Sequence, residues 1–191
     1  PELEKFAEKH DLKIGTIADL IEYRNLNETT IEKVAQCHLP TEYGDFELHT
    51  FKDSIDNQLH FALKNGEVTE DNPTLVRVHL HNTFSDLLGS TRGIHRSMTL
   101  ADGMRKIAEE GGILVLLGKE EHIEHQVRRF AAEDRGERPA GADWQGSSRT
   151  IGVGSQILVS MGVQKMRLLS KPIKYHALSG YGLEVVEYVH D

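Results

Sequence analysis

The sequence has one cysteine, Cys37, and few aromatic residues, which make up 6% of its 191 residues. A single cysteine cannot form an intrachain disulfide, and this is typical of a cytoplasmic protein. No apolar run approaches the roughly 20 residues that a membrane-spanning helix needs, and no export signal is visible. We therefore expect a soluble cytoplasmic protein that does not contact a membrane.

Positive charge is also scarce, because 22 basic residues stand against 30 acidic residues and give a net charge of −8. This balance argues against a broad nucleic-acid-binding surface. A local group of arginines and lysines could still bind a small phosphorylated molecule. With 38% hydrophobic residues, the chain can bury one substantial core.

The spacing of apolar residues predicts alternating strands and helices. A period of two at 46–51 and 58–63 indicates half-buried strands separated by polar turns. Residues 100–110 show one apolar helical face, and the continuously apolar run 113–117 is typical of a strand buried on both faces. We therefore predict an α/β fold, a three-layer mixed sheet with helices, preceded by an antiparallel β section.

Two motifs suggest an origin for the chain. The residues RVHLHN at 77–82 and GSTRGIH at 89–95 resemble Arg-Val-His-Ser-Glu-Cys and Gly-Ser-Leu-Arg-Cys-Asp-Cys. These are motifs of GTP cyclohydrolase II, the zinc enzyme that opens the guanine ring in riboflavin synthesis. Asn82, Gly93 and His95 stand where that family has its three cysteines. The resemblance therefore predicts that the family's zinc site cannot form, and we expect no metal.

One alternative keeps a metal in this region. His79 and His81 lie two residues apart in a predicted strand, so both project from the same face. Together with His95, and with Asp86 as a further donor, they could form a replacement site for an imidazole-preferring metal.

A second segment, SSRTIGVGSQIL at 147–158, resembles the family's Asp-x-Arg-x-Tyr-Gly-Ile-Gly-Ala-Gln-Ile-Leu. Arg149 matches the catalytic arginine, whereas Ser147 replaces the proton-accepting acid and Ile151 the tyrosine. We interpret Arg149 as a vestigial catalytic residue that could still pair with a phosphate. Gly152 and Gly154 are interpreted as backbone requirements at the start of a helix over 154–161.

The C-terminal third carries the most family-like residues, RLLSKPIKY at 167–175 and ALSGYGLEVVEYV at 177–189. The resemblance assigns GTP contacts to Ser170 and Lys174. The family's Glu-Gly-Arg core is absent from 118–124. The nucleotide-binding candidates are therefore Arg77, His79, Arg149, Ser170 and Lys174.

The N-terminal residues AEKHDLKIGTIADLIEYR, at 7–24, resemble the C-terminal tail of 3,4-dihydroxy-2-butanone 4-phosphate synthase, another enzyme of riboflavin synthesis. We therefore interpret residues 1–30 as the tail of an upstream synthase domain and a linker. Residues 31–191 are interpreted as a GTP cyclohydrolase II-like domain. The whole would be a bifunctional riboflavin biosynthesis protein.

These interpretations lead to a functional hypothesis. We expect a cyclohydrolase-like domain without GTP ring-opening activity, which has a structural or regulatory role for the upstream synthase and forms a homodimer. One alternative is a binding module that senses GTP, ribulose 5-phosphate or a flavin. Another is an active hydrolase that converts GTP to a diaminopyrimidine, formate and pyrophosphate through the relocated histidine metal site.

Overall fold

The computed structural model describes residues 2–15, 20, 23–24, 27–69, 71–92, 98–118, 123–137, 148–170 and 178–189. Seven strands are present in this part of the chain: β1 Ile31–Thr41, β2 Gly44–Asp53, β3 Leu59–Asn65, β4 Thr74–Leu80, β5 Gly112–Leu117, β6 Lys165–Leu169 and β7 Glu184–Val189. The helices are α1 Glu2–Lys9, α2 Leu100–Glu110, α3 Ile123–Asp134 and α4 Ser148–Ser160, with short helical turns at Thr83–Leu87 and Leu178–Tyr181.

All seven strands form one mixed sheet in the order β1-β2-β3-β5-β4-β6-β7. Strands β1, β2, β3 and β5 pair antiparallel, whereas β5, β4, β6 and β7 pair parallel. Strand β5 therefore joins the two halves. The prediction of a mixed α/β fold with an antiparallel section is confirmed.

Helix α2 covers one face of the sheet. The Thr99 side chain caps its N-terminus by accepting a hydrogen bond from the Asp102 amide, and Gly111, with φ +80°, ends it. Met104 and Ile107 on its inner side pack with Leu114 in one buried cluster. The apolar spacing over 100–110 therefore identified this helix and its buried side correctly.

Helix α4 packs in the second core cluster. Its Ile157 and Leu158 are buried with Ile113 and Val115, the residues of β5 that flank Leu114. Successive residues of β5 thus belong to different clusters, as a strand covered on both faces requires.

The start of α4 differs from the prediction. The helix begins at Ser148, so Gly152 and Gly154 lie within it rather than at its start. A Cβ atom on Gly154 would lie 3.7 Å from side-chain atoms of Leu117 and Val78. Gly154 therefore lets the helix approach the sheet closely.

The N-terminal residues have little buried apolar surface. Helix α1 is amphipathic, but its Leu3 and Phe6 are 74% and 55% exposed. In the segment 16–24, residues 20, 23 and 24 are helical, and the other residues lie outside the described part of the chain. No helix in the described part of the chain is long and apolar enough to cross a membrane.

The backbone at Gly112 leaves no room for a side chain. Its φ is +137°, and a Cβ atom there would lie 2.2 Å from the Leu75 carbonyl oxygen on the neighbouring strand. We predict that Gly112→Ala lowers the free energy of unfolding by about 2 kcal/mol or more. Urea denaturation measures this. Gly15→Ala is the control, because no atom of the described residues lies within 4 Å of its added Cβ. Equal effects of the two substitutions would contradict the prediction.

Candidate functional site

A buried polar cluster lies just beyond β4, among the parallel strands. His79 is the penultimate residue of β4, and the helical turn Thr83–Leu87 brings Asp86 back to it. Asn82 caps this turn, since its side-chain oxygen accepts a hydrogen bond from the Ser85 amide at 3.0 Å. The side-chain nitrogen of Asn82 donates to Gln126 of α3 at 3.2 Å. Asn82 therefore fixes the N-terminal end of the turn and links it to α3.

Asp86 is the centre of the cluster. Nε2 of His79 lies 3.0 Å from each of its carboxylate oxygens. The Asn82 amide donates to the same carboxylate at 2.9 Å, and the Ser85 hydroxyl at 3.2 Å. The side chains of Asp86 and His79 are 5% and 9% exposed, whereas His81 is 41% exposed with Nδ1 3.8 Å from Asp86. A second, more exposed imidazole thus lies beside the buried histidine–carboxylate pair.

The surroundings of His79 favour its neutral form. Burial lowers the pKa of His79, against the opposing effect of the hydrogen bond with Asp86. Because Nε2 faces a carboxylate, the neutral ring carries its proton on Nε2 and its basic lone pair on Nδ1. A positioned imidazole–carboxylate pair of this kind can accept and return a proton.

A second polar cluster joins the β2–β3 turn to α4. Nη2 of Arg149 lies 2.8 Å from the Asp53 carboxylate and 3.0 Å from that of Asp56. Asp53, at the end of β2, is 1% exposed, and its other oxygen accepts a hydrogen bond from the Ile55 amide at 2.9 Å. The arginine therefore neutralises a buried carboxylate.

His60 belongs to the same cluster. One of its ring nitrogens and the carboxylates of Asp53 and Asp56 lie within 4.8 Å of one another. Its Nδ1 accepts a hydrogen bond from the Gly118 amide at 3.0 Å, and its buried Nε2 has no hydrogen-bond partner among the residues that the structure describes. Burial lowers the pKa of His60, although both carboxylates oppose this.

The five nucleotide-binding candidates do not form one cluster in the described residues. Arg77 is 8% exposed and donates to the carbonyl oxygens of Leu169 and Met98 at 2.8 and 3.0 Å. His79 contacts Asp86, whereas Arg149 contacts Asp53 and Asp56. The Ser170 amide donates to the backbone of Leu168 and Val189. Lys174, Gly93, His95 and Ser147 lie outside the described residues.

Sequence reasoning missed Asp53, Asp56 and His60. The pattern Asp-x-x-Asp-x-x-x-His at 53–60 spans a turn and could have marked them as a polar group. Arg149 is 96 positions from Asp53, so the sequence alone gave no sign of their pairing. Asp86 was considered only as a possible metal donor, whereas in the structure it is the centre of its cluster.

Fold and site together define a mixed α/β protein with a buried histidine–aspartate pair near the carboxyl end of a parallel strand. Residues 32–190 match the family model described as GTP cyclohydrolase II. The chain belongs to that family.

Proteins similar to this chain carry another enzyme's name. The chain is 48% identical to a 3,4-dihydroxy-2-butanone 4-phosphate synthase from Photobacterium phosphoreum, over 99% of the chain and 51% of that protein. It is 44% identical to a protein of the same name from Pseudomonas aeruginosa, with the same two coverages. The chain therefore spans about half the length of these curated relatives.

A solved structure gives a similar result. The crystal structure of a two-domain 3,4-dihydroxy-2-butanone 4-phosphate synthase from A. baumannii has a TM-score of 0.65 and 41% identity to the chain. The match covers 97% of this chain and 48% of that one.

These relatives correct the sequence-based interpretation. Similarity to proteins named as the synthase is not confined to residues 7–24 but runs through 99% of the chain. The interpretation of the chain as a degenerate, inactive cyclohydrolase domain whose likeness to the synthase is limited to a short tail is therefore wrong. The two alternatives, a nucleotide- or flavin-sensing module and a cyclohydrolase with a relocated metal, are set aside by the same finding. The relatives carry the name of an enzyme of riboflavin synthesis.

The residues that stand at the family's cysteine positions do not fit its zinc. Asn82 uses its side-chain oxygen and nitrogen in the hydrogen bonds that cap the turn and reach α3. The sole cysteine, Cys37, lies exposed on β1. A thiolate set like that of the family is thus not available.

Arg149 should matter for stability because Asp53 is buried. We predict that Arg149→Gln lowers the free energy of unfolding by about 3 kcal/mol, since it leaves a buried carboxylate without its cation. Arg167→Gln is the matched control. Arg167 also pairs with two carboxylates, but Glu187 and Glu110 are 54% and 35% exposed, so we expect a loss of about 1 kcal/mol or less. Equal losses in urea denaturation would contradict the role given to Asp53.

The two buried histidines should make stability depend on pH. Burial holds the pKa values of His60 and His79 below their ordinary value of about 6.5. Below that pH the unfolded chain binds protons that the native chain does not, so stability falls as the solution is acidified. The free energy of unfolding should therefore be lower at about pH 5.5 than at about pH 7.5.

Substitution of His60 tests whether a buried histidine contributes to this pH dependence. His60→Asn should reduce this loss on acidification, whereas His38→Asn, at an exposed position on β1, should leave it unchanged. The same pH dependence in all three proteins would contradict the assignment.

Proposed function

We propose that this chain acts in riboflavin biosynthesis as part of a 3,4-dihydroxy-2-butanone 4-phosphate synthase. The observation that carries the proposal is the similarity to proteins of that name over nearly the whole chain. Because the chain spans about half of their length, the activity is proposed for the complete protein to which the chain contributes.

The His79–Asp86 pair supports a catalytic contribution from this chain. An enzyme that forms a phosphorylated hydroxyketone has to move protons on carbon and oxygen atoms, and such steps use positioned acid–base groups. The pair lies near the carboxyl end of β4, where ligands of parallel sheets commonly bind. His81, whose Nδ1 lies 3.8 Å from Asp86, is the more exposed of the two histidines.

The finer features of the chain are proposed as well. The sheet is proposed to have the GTP cyclohydrolase II-like arrangement, and the family match over 32–190, which includes nearly all of β1 to β7, supports this. A boundary near residue 30 is proposed on the same ground. The protein is further proposed to be a cytoplasmic homodimer.

A phosphorylated small molecule is the proposed ligand. Of the candidate contacts Arg77, His79, Arg149, Ser170 and Lys174, the structure gives His79 the surroundings best suited to proton transfer. Arg77 and Arg149 already donate to protein oxygens. These two would therefore have to exchange a protein partner for the ligand.

The proposed activity is tested on the complete protein at its native length. Incubation with ribulose 5-phosphate should yield 3,4-dihydroxy-2-butanone 4-phosphate and one equivalent of formate, which carries the carbon that the five-carbon sugar loses; mass spectrometry detects the four-carbon product. Absence of that product from folded protein would contradict the proposed function.

A substitution then tests whether this chain takes part in catalysis. We predict that His79→Asn lowers kcat about 100-fold, because loss of a general acid–base group costs roughly that much. His38→Asn, on the exposed β1 strand, is the control and should retain activity. Product formation at an unchanged rate by His79→Asn would leave the synthase activity in place but exclude His79 from it.

A further inference from the structure

We propose that Asp53, Asp56 and His60 form a binding site for a hard divalent cation such as Mg²⁺ or Mn²⁺. In this structure the guanidinium of Arg149 occupies that site. The proposal does not depend on the synthase activity. It uses the cluster at the β2–β3 turn, whose residues have no part in the His79–Asp86 pair.

The donors suit such an ion. Carboxylate oxygens are the ligands that Mg²⁺ and Mn²⁺ prefer, and water completes their coordination. Oxygens of Asp53 and Asp56 and a ring nitrogen of His60 lie within 4.8 Å of one another, so one ion could contact both carboxylates directly. Asp53 is 1% exposed, and a buried carboxylate requires a positive partner.

His60 is the independent sign that the cluster accommodates a further group. It is 4% exposed, and within the described part of the chain its Nε2 has no hydrogen-bond partner although the ring is buried beside two carboxylates. Because the Gly118 amide donates to Nδ1, the proton of the neutral ring lies on Nε2. His60 would therefore donate to a water bound to the cation, while the two carboxylates act as the direct ligands.

Arg149 holds the place of the cation in this structure. Its Nη2 atom contacts both carboxylates, yet its side chain is 39% exposed and so has a path to solvent. Two carboxylates and one guanidinium leave a net negative charge in the cluster, which favours a cation over an anion. Cation binding and outward rotation of Arg149 are then coupled, and each ion that binds displaces one guanidinium.

Mn²⁺ is the probe, because the electron paramagnetic resonance signal of free Mn²⁺ falls as the ion binds. If Arg149 fills the site about nine-tenths of the time, Arg149→Gln should bind Mn²⁺ about ten-fold more tightly than the wild-type protein. Added Mn²⁺ should also raise the melting temperature of Arg149→Gln. Arg167→Gln, which removes an arginine of similar exposure from another pair of carboxylates, should bind Mn²⁺ as the wild-type protein does.

A second substitution identifies the ligands. The double variant Asp56→Asn with Arg149→Gln should lose the tighter binding, since one of its two carboxylate ligands is gone. The proposal is overturned if Arg149→Gln binds Mn²⁺ no more tightly than the wild-type protein, or if the double variant binds as tightly as Arg149→Gln. If Arg149→Gln does not fold, Asp56→Asn alone decides: it should abolish wild-type Mn²⁺ binding, and unchanged or absent wild-type binding overturns the proposal.

Discussion

Strand β5 is the constraint on which the rest of the structure depends. It pairs antiparallel with β3 and parallel with β4, so the two halves of the sheet meet at one strand. Helices α2 and α4 cover its alternate residues from opposite sides. A strand in this position has to be apolar on both faces, and residues 113–117 meet that requirement. The close approach of Gly112 to Leu75 is a further consequence, because the parallel pair begins there.

Each of the two polar clusters contains a buried carboxylate whose charge has to be compensated by neighbouring groups. Asp53 and Asp86 are both almost fully buried, and each would cost several kcal/mol without compensating partners. Asp86 receives hydrogen bonds from a backbone amide and a hydroxyl and lies against His79, whereas Asp53 receives a backbone amide and Arg149. The difference has chemical consequences. A neutral imidazole beside Asp86 leaves a pair that can exchange protons, whereas a permanently charged guanidinium beside Asp53 gives an ion pair that another cation could replace.

The parts of the fold that follow from local spacing could be predicted from the sequence. The apolar face of α2 repeats with the period of a helix, and the apolar run of β5 has the length of one buried strand, so each can be recognised from neighbouring residues alone. The start of α4 was missed because Gly152 and Gly154 were interpreted as backbone requirements at the start of a helix, whereas Gly154 lies within the helix and packs closely on Leu117 and Val78. The contact of Arg149 with Asp53 could not be foreseen, since it joins residues 96 positions apart and depends on the finished sheet.

The mistaken functional interpretation has a physical explanation at Asn82. Absent cysteines were taken as the loss of a working site, on the assumption that their replacements do nothing. In the structure, Asn82 caps the turn that carries Asp86 to His79, and its amide nitrogen also binds α3. Arg149, which the resemblance made vestigial, compensates a buried charge. Residues that depart from a family's metal ligands therefore do not show that a site has lost every role, because the same positions can take part in other interactions on the same sheet.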